Sequence, residues 1–305
     1  MYDIVVVGGG PAGMTAALYA VRNGKSALVL EKGGFGGQIA YSPRVENYPG
    51  TLSMSGNEFA DRMLEQILAQ GAEVEIETVT AVRDEGGSKR VLTESGAEYE
   101  AKALIIATGV KHRMLGLEGE NALVGNGISF CALCDGEYYR GQTVAVAGGG
   151  NSALQEATLL ADVCKELVMV QDLDFFTGEE KLVKALAARP NVRMLTGMAI
   201  ERLLTEGGSL KGLKLLKKAS GESITLFCDG LFVAIGLIPE NEAFSGIVSL
   251  DGAGYIASGE DCLTGNGGVF AAGDCRAKQV RQLTTAAADG AISALAACRY
   301  IDLNR

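Results

Sequence analysis

Residues 4–32 read IVVVGGGPAGMTAALYAVRNGKSALVLEK, and residues 144–172 read VAVAGGGNSALQEATLLADVCKELVMVQD. The two stretches superpose without a gap at an offset of 140. Each opens on an apolar strand, turns on three glycines, runs through a helical pattern and closes on a second apolar strand. Gly8, Gly10 and Gly13 fall on Gly148, Gly150 and Ala153. A glycine-rich turn alone is a weak signal; one placed between a strand and a helix marks a dinucleotide-binding βαβ unit. The first glycine permits the tight turn and the second lets the backbone approach a pyrophosphate. The third position must be small so that helix and strand can pack. The helix N-terminus then offers free N–H groups and the positive end of its dipole to phosphate. Glu31 closes the first copy, where a carboxylate can accept from ribose hydroxyls.

Two such units in 305 residues predict an α/β chain of two Rossmann-like, three-layer domains. Further strands are expected at Val91–Glu100 and Ala103–Ala107, at Gly230–Ile235 and at Gly268–Ala272, with a small-residue helix at Leu283–Ala297. The second copy therefore interrupts the first domain. The expected division is a discontinuous first domain, 1–113 plus 244–305, with an inserted second domain, 114–243.

Composition narrows the chemistry. The net charge of −10 speaks against a nucleic-acid partner held through phosphates. No run of 18 apolar residues and no signal-peptide pattern is present, so no membrane partner is expected and a cytoplasmic setting is. A single histidine, His112, excludes a histidine-rich metal site. Seven cysteines direct attention to sulfur. Cys131-Ala132-Leu133-Cys134-Asp135 is a C-x-x-C followed by a carboxylate. Zinc would need four ligands, and no second C-x-x-C exists. Inert structural cysteines are an alternative. A redox dithiol fits the spacing best, with Asp135 exchanging protons during thiol–disulfide exchange or else capping a turn. Cys164, Cys228, Cys262, Cys275 and Cys298 follow no pairing pattern and read as small core or surface residues.

In their order along the chain, Gly8–Gly13, Gly36-Gly37-Gln38, Glu46–Gly50, Ala107-Thr108-Gly109, Cys131–Asp135, Gly148–Ala153, Gly273-Asp274 and Arg281-Gln282 resemble the low-molecular-weight thioredoxin reductases. The resemblance covers essentially the whole chain. It implies a homodimeric flavoprotein with one FAD per chain. Gly8, Gly10, Pro11, Ala12 and Gly13 would line the pyrophosphate, with Glu31 and the adjoining Lys32 at the adenosine ribose. Gln38 and Asn47 would approach the flavin side, Asp274 the ribityl or phosphate end, and Gly37, Thr108 and Gly109 would bind the same cofactor. The backbone of Gln282 and Leu283 would face the isoalloxazine, where a helix N-terminus stabilises negative charge on a reduced flavin. Cys134 would lie nearer the flavin, Cys131 would engage a thioredoxin-like protein disulfide, and Asp135 would be the acid–base partner.

One stretch departs from the family pattern. Relatives that use NADPH carry H-R-R-x-x-x-R after the second copy, and those arginines grip the 2′-phosphate. Here Gln171 stands in place of the histidine, and Asp172, Leu173 and Thr177 in place of the arginines. Losing two hydrogen bonds to a charged group costs roughly 3–6 kcal/mol, about 10²- to 10⁴-fold in affinity. NAD(P)H binding is therefore doubtful, and the chain is most similar to the ferredoxin-dependent flavin thioredoxin reductases. A ferredoxin near about −400 mV and thioredoxin near about −270 mV differ enough to release roughly 6 kcal/mol for two electrons. An acidic ferredoxin needs a local basic surface; the candidates are Lys211, Lys214, Lys217 and Lys218, or Arg276, Lys278 and Arg281. An NADH-dependent reductase of the same fold is the alternative, and a non-catalytic flavin redox sensor is the alternative of another class.

Overall fold

The computed structural model describes residues 1–42 and 44–304, so Arg305, the last residue of the expected first domain, lies outside the described residues. The chain divides into two compact units, residues 1–111 with 238–305, and residues 112–237. The boundaries fall at 111/112 and 237/238, not at 113/114 and 243/244. The later crossing moves because residues 240 and 241 are tied into the first unit. Glu240 pairs with Lys111 at 2.7 Å and also with Lys32. Asn241 donates to the carbonyls of Gly254 and Cys275, both at 2.9 Å.

In the first unit the strand Tyr2–Val7 lies between Ala27–Glu31 and Glu98–Ile106, parallel to both, and Glu73–Ile76 adds beyond Ala27–Glu31. Glu98–Ile106 serves two partners. Its last residues pair in parallel with Val269–Ala271, and its first residues pair antiparallel with Lys89–Thr93. The single strand expected over Val91–Glu100 is therefore two, broken by a turn in which Thr93 N–H donates to Ala97 O at 3.1 Å. Ile4, Val5, Val6 and Leu104, Ile105, Ile106 are buried on both faces, as a parallel sheet between two layers requires. The helices Pro11–Arg22 and Leu283–Leu303 share the core on one face with Ile4, Val6, Ala103 and Ile105. Phe244, Val248 and Ile256 cover the other with Val5, Val7 and Leu104. The last helix continues beyond Ala297 to Leu303, because Cys298 and Ile301 keep its buried face apolar.

The second unit repeats the plan with a parallel sheet in the order Val192–Leu195, Glu166–Val170, Thr143–Ala147, Gly230–Val233, Ile128–Ser129. The helix Asn151–Ala161 makes the first crossover. A three-stranded antiparallel sheet, Met198–Glu206, Ser209–Lys217 and Glu222–Phe227, shares a core with the parallel one. The repeat survives in atomic detail. Gly8 N–H donates to Leu30 O at 2.8 Å, and Gly148 N–H donates to Val170 O at 3.0 Å. Among the described residues no helix is long and apolar enough to cross a membrane.

The helices Pro11–Arg22 and Leu283–Leu303 touch through backbone. A Cβ added at Gly290 would stand 2.2 Å from Ala12 O. Gly290→Ala is expected to lower stability by about 1–3 kcal/mol through overpacking. Gly246→Ala, which meets nothing within 4 Å, is expected to be near neutral. Thermal melts of the two variants check this.

Candidate functional site

The first centre lies at the glycine turn of the first unit. Gly8 adopts φ +112, and a Cβ there would lie 2.2 Å from Ala107 O. That clash is why the turn can meet the end of the neighbouring strand only without a side chain. Gly13 is as constrained, since its Cβ would stand 1.8 Å from Gly8 O. At Gly10 the space is open, with Gly36 O the nearest atom at 4.0 Å. Pro11 opens the helix without a side-chain cap, leaving the N–H groups of Ala12 and Gly13 without a helical partner. Glu31 takes two loop amides, Gly9 N–H at 2.6 Å and Gly33 N–H at 2.9 Å. Lys32 is exposed and pairs with Glu240.

The other expected residues come together around this turn. Gly37 lies beside Gly10, where its added Cβ would be 3.5 Å from Gly10 Cα. Gln38 donates to Val110 O at 3.3 Å, and Asn47 donates to the Gln282 side chain at 3.4 Å. Gln282 caps the last helix in a reciprocal box with Thr285, and Leu283 is the first residue of that helix. Thr108 donates to Asn241 Oδ1 at 3.0 Å, and Gly109 follows at φ +66. Asn241 was not singled out from sequence, because a lone asparagine outside any motif carries no pattern. Gly273 packs its bare Cα on Ala12, where a Cβ would come within 2.8 Å of the alanine methyl. Asp274 is next, with a buried Oδ1 that has no hydrogen-bond partner. Burial pushes its carboxyl up, against the pull of Lys278 and Arg281.

Beneath this turn sits a buried charge cluster that the sequence did not reveal. Asp289 accepts from Arg276 Nε at 2.8 Å and Nη2 at 2.9 Å, from Lys278 Nζ at 2.8 Å and from Gly273 N–H at 2.9 Å. Burial alone would raise Asp289, but the two cations outweigh it and hold the carboxyl below its ordinary value. Arg276 and Lys278 were expected as part of an exposed basic surface. Their side chains are only 1% and 4% exposed, because Asp289 draws both inward. Cys275 is likewise buried, its thiol donating to Ile106 O and Ala272 O.

The second centre lies in the second unit. Cys131 and Cys134 form a disulfide across a Cα–Cα distance of 5.3 Å. Cys131 is the N-cap of a single helical turn, Ala132–Asp135, and its Sγ accepts the Cys134 N–H at 3.2 Å. Cys134 is exposed and Cys131 half-buried. Asp135 accepts from Ser129 Oγ at 2.6 Å, and Ser129 Oγ accepts the Cys131 N–H at 3.2 Å. The second oxygen of Asp135 is buried without a partner. Burial pushes the Asp135 carboxyl up, only partly offset by Ser129. Glu156, from the helix after the second glycine turn, accepts the Ala132 N–H. Burial raises it too, and the neighbouring Asp135 adds to the rise. No motif pointed to Glu156; its partner is distant in sequence. The other five cysteines are all buried and free.

The second glycine turn keeps its geometry. Gly148 has φ +128, and its Cβ would meet Ala234 O at 2.4 Å, as Gly8 would meet Ala107 O. Gln171 packs on Gly149 where Glu31 packs on Gly9, but its Nε2 donates within its own loop, to Phe175 O at 3.3 Å. Asp172 pairs with Lys218 at 3.1 Å. Thr177 N–H donates to Gly149 O at 2.8 Å.

A pair of glycine turns on parallel sheets, with a C-x-x-C disulfide turn in the same unit as the second, defines a nucleotide-dependent disulfide oxidoreductase. The chain belongs to the pyridine nucleotide-disulphide oxidoreductase family, whose model matches residues 2–290. Within that family it is of the low-molecular-weight, thioredoxin reductase-like type, a flavin-dependent oxidoreductase with FAD as cofactor. It is 37% identical to a thioredoxin reductase of Listeria monocytogenes over 302 residues, covering 99% of this chain and 94% of that one. It is 37% identical over 303 residues to a 34.2 kDa protein in the rubredoxin operon of Clostridium pasteurianum, covering 98% and 97%. The crystal structure of thioredoxin reductase from Streptococcus pyogenes superposes with a TM-score of 0.94 at 35% identity, covering 99% of each chain. The residues of the first centre fit FAD: an open glycine cradle, unpartnered helix amides and the orphaned buried oxygen of Asp274.

Removing one partner of a buried ion pair costs about 3–5 kcal/mol. Arg276→Met is expected to lose stability on that scale, measured by denaturant unfolding. The pH dependence has a defined sign. Asp289 is depressed in the folded chain, so its contribution is present above the ordinary carboxylate range and is lost as pH falls through its lowered value.

Proposed function

We propose that the chain reduces the disulfide of a thioredoxin-like protein through Cys131 and Cys134, taking its electrons from a one-electron carrier of the ferredoxin type and not from NADPH. The observation that carries the donor assignment is the loop after the second sheet strand. Asp172 and Thr177 stand where a 2′-phosphate would need arginines, and Lys218, the cation paired with Asp172, is committed to that carboxylate. The relative from a rubredoxin operon lends support, since its gene is grouped with that of an iron–sulfur carrier. Of the two candidate basic surfaces only the lysines on Ser209–Lys217 and the adjoining Lys218 remain, with Lys211 and Lys217 exposed.

FAD, when bound, stores two electrons and delivers them to the disulfide. The chain's own residues do the rest. Gly8, Gly10, Pro11, Ala12 and Gly13 take the pyrophosphate, Glu31 and Lys32 the adenosine end, and Gly37, Gln38, Asn47, Thr108, Gly109 and Asp274 the remainder. The backbone of Gln282 and Leu283 presents a helix N-terminus to negative charge. In the dithiol state Cys131 attacks the substrate disulfide; a sulfur–sulfur bond forms to the substrate and the substrate's own bond breaks. Cys134 then displaces the second substrate sulfur and closes the internal disulfide. Two thiols of the chain are oxidised, two thiols of the substrate are formed, and the two protons pass with them. Asp135 is the group placed to carry a proton, being half-buried and held against Ser129.

A second reading, NADH as donor, is favoured by the intact geometry at Gly148 and Gly150. Anaerobic stopped-flow mixing separates the two. Flavin bleaching by reduced ferredoxin and no rapid bleaching by NADH or NADPH is the expected result; rapid bleaching by NADH overturns the donor assignment. Cys134→Ser is expected to retain FAD and lose more than 99% of thioredoxin reduction, about a 10²-fold drop or greater, as for loss of a covalent nucleophile. Turnover at the wild-type level in that variant would refute the dithiol.

We also take the chain to be a homodimer. Ile292, Leu295 and Leu303 are exposed on one face of the last helix, an apolar stripe without cover in a single chain. Light scattering is expected to give twice the chain mass of 31.7 kDa, and Leu295→Glu to shift it toward the single-chain value.

A further inference from the structure

One buried hydroxyl joins Asp135 to the backbone of Cys131. Ser129 ends the strand Ile128–Ser129 at the edge of the second unit's parallel sheet and is only 5% exposed. Its Oγ accepts the Cys131 N–H at 3.2 Å and donates to Asp135 Oδ2 at 2.6 Å. The polarity of this chain of bonds is fixed. An amide N–H can only donate, so its hydrogen goes to Oγ. The hydroxyl has one hydrogen of its own, and among the described residues Asp135 Oδ2 is the acceptor for it. A buried hydroxyl hydrogen that lost its acceptor would go unsatisfied, so Oδ2 is kept in the accepting role whatever the charge on the carboxyl. A proton on Asp135 therefore belongs on Oδ1, which is buried and has no hydrogen-bond partner. The turn is also closed by Asp135 N–H to Cys131 O at 3.0 Å, so acid and cysteine are held together by backbone as well as by Ser129. The titratable groups facing Asp135 do not occupy Oδ1. Tyr139 is pushed up to about 12 by burial, with Asp135 adding to the rise, and stays a neutral phenol. Cys164 and Cys228, which face Tyr139, are raised by burial to about 11 and about 12. Asp229 is turned to the Thr143 N–H at 3.0 Å, and Glu156 accepts the Ala132 N–H.

We propose that Ser129 is a positioning residue of the dithiol reaction: it binds Oδ2 of Asp135 to the Cys131 backbone and so reserves Oδ1 as the oxygen that takes and returns the proton. This rests on the reading of Cys131 and Cys134 as the redox pair and of Asp135 as their proton carrier. The step balances. When Cys131 attacks the substrate disulfide, its thiol proton passes to Oδ1, a bond forms between Cys131 Sγ and one substrate sulfur, and the substrate's own sulfur–sulfur bond breaks. The sulfur that leaves takes the proton from Oδ1 and becomes a thiol. Cys134 then attacks Cys131 Sγ, the second substrate sulfur leaves, and the Cys134 proton passes to it. Two thiols of the chain are oxidised, two substrate thiols are formed, and Asp135 ends as it began, a carboxylate.

The test uses the FAD-loaded protein, reduced with dithiothreitol, desalted anaerobically and mixed with the small aromatic disulfide dithiobis(nitrobenzoate) across the acid and neutral pH range. The rate is expected to rise as Asp135 ionises, and the midpoint of that rise is the readout. Ser129 lowers the Asp135 carboxyl by donating to its charged form. Ser129→Ala is therefore expected to move the midpoint up by roughly 1 pH unit, as for loss of a hydrogen bond to a charged group. Ser129→Thr, which keeps the hydroxyl, is expected to restore the wild-type midpoint. Asp135→Asn is expected to abolish the rise, and adding Ser129→Ala to it to change the rate by less than about 2-fold, because Ser129 acts through Asp135. A Ser129→Ala profile that overlays the wild type, or an equal rate loss in the Asp135→Asn background, overturns the positioning role. If Ser129→Ala does not fold, a shifted midpoint in Ser129→Thr overturns it. An Asp135→Asn variant with the wild-type rise overturns Asp135 as proton carrier and the role of Ser129 with it. A wild-type disulfide that dithiothreitol cannot reduce overturns the redox reading itself.

Discussion

The fold turns on a contact that only glycine permits, made twice. At Gly8 the backbone of the first strand–helix turn meets the carbonyl of Ala107 at a position that any Cβ would occupy, and Gly148 meets Ala234 in the same way. These contacts bring the C-terminal ends of neighbouring parallel strands against the start of a helix. Everything nucleotide-shaped in the chain follows from that. The helix amides point outward, the acidic or amide residue at the next strand end lies over the turn, and the following loop returns to cap it. Gly9 O accepts Gly36 N–H at 2.8 Å in one copy, and Gly149 O accepts Thr177 N–H at 2.8 Å in the other.

The same scaffold supports different chemistry because the two copies diverge where side chains leave it. Glu31 gives both of its oxygens to the first turn. Gln171 spends an amide hydrogen inside its own loop, and Asp172 is held by Lys218. The helix after the second turn has also gained a task with no counterpart in the first. Glu156 extends from it to the disulfide turn, so a nucleotide-type helix helps to shape that turn. Meanwhile the first unit carries a buried cluster of two cations and one carboxylate under Asp274, where desolvation would otherwise be costly. Asp289 serves there as anchor for Gly273 as well as for Arg276 and Lys278, which binds the turn to the last helix.

Much of this was legible in the linear chain. The offset of 140 between the two copies, with strands before and helices after, specified two parallel-sheet units and their nesting. Cys131 and Cys134 were legible as a pair because their spacing alone suits a disulfide. What could not be read were contacts between residues with no shared motif. Asn241 draws residues 238–243 into the first unit, shifting the boundary, through bonds to Thr108, Gly254 and Cys275. Arg276 and Lys278 look like surface charge in any sequence window; only the helix carrying Asp289 makes them interior.

The sequence by itself determined the class of fold, the two glycine turns, the pairing of Cys131 with Cys134 and the absence of arginine at positions 172, 173 and 177. Each is a matter of local spacing, and local spacing sets strand, turn and helix. Tertiary structure decided which charges are buried, which carboxylates stand beside the disulfide and which residues belong to which unit. Those depend on the electrostatics and hydrogen bonding of groups far apart in sequence, whose desolvation is settled only when the sheets and helices have packed.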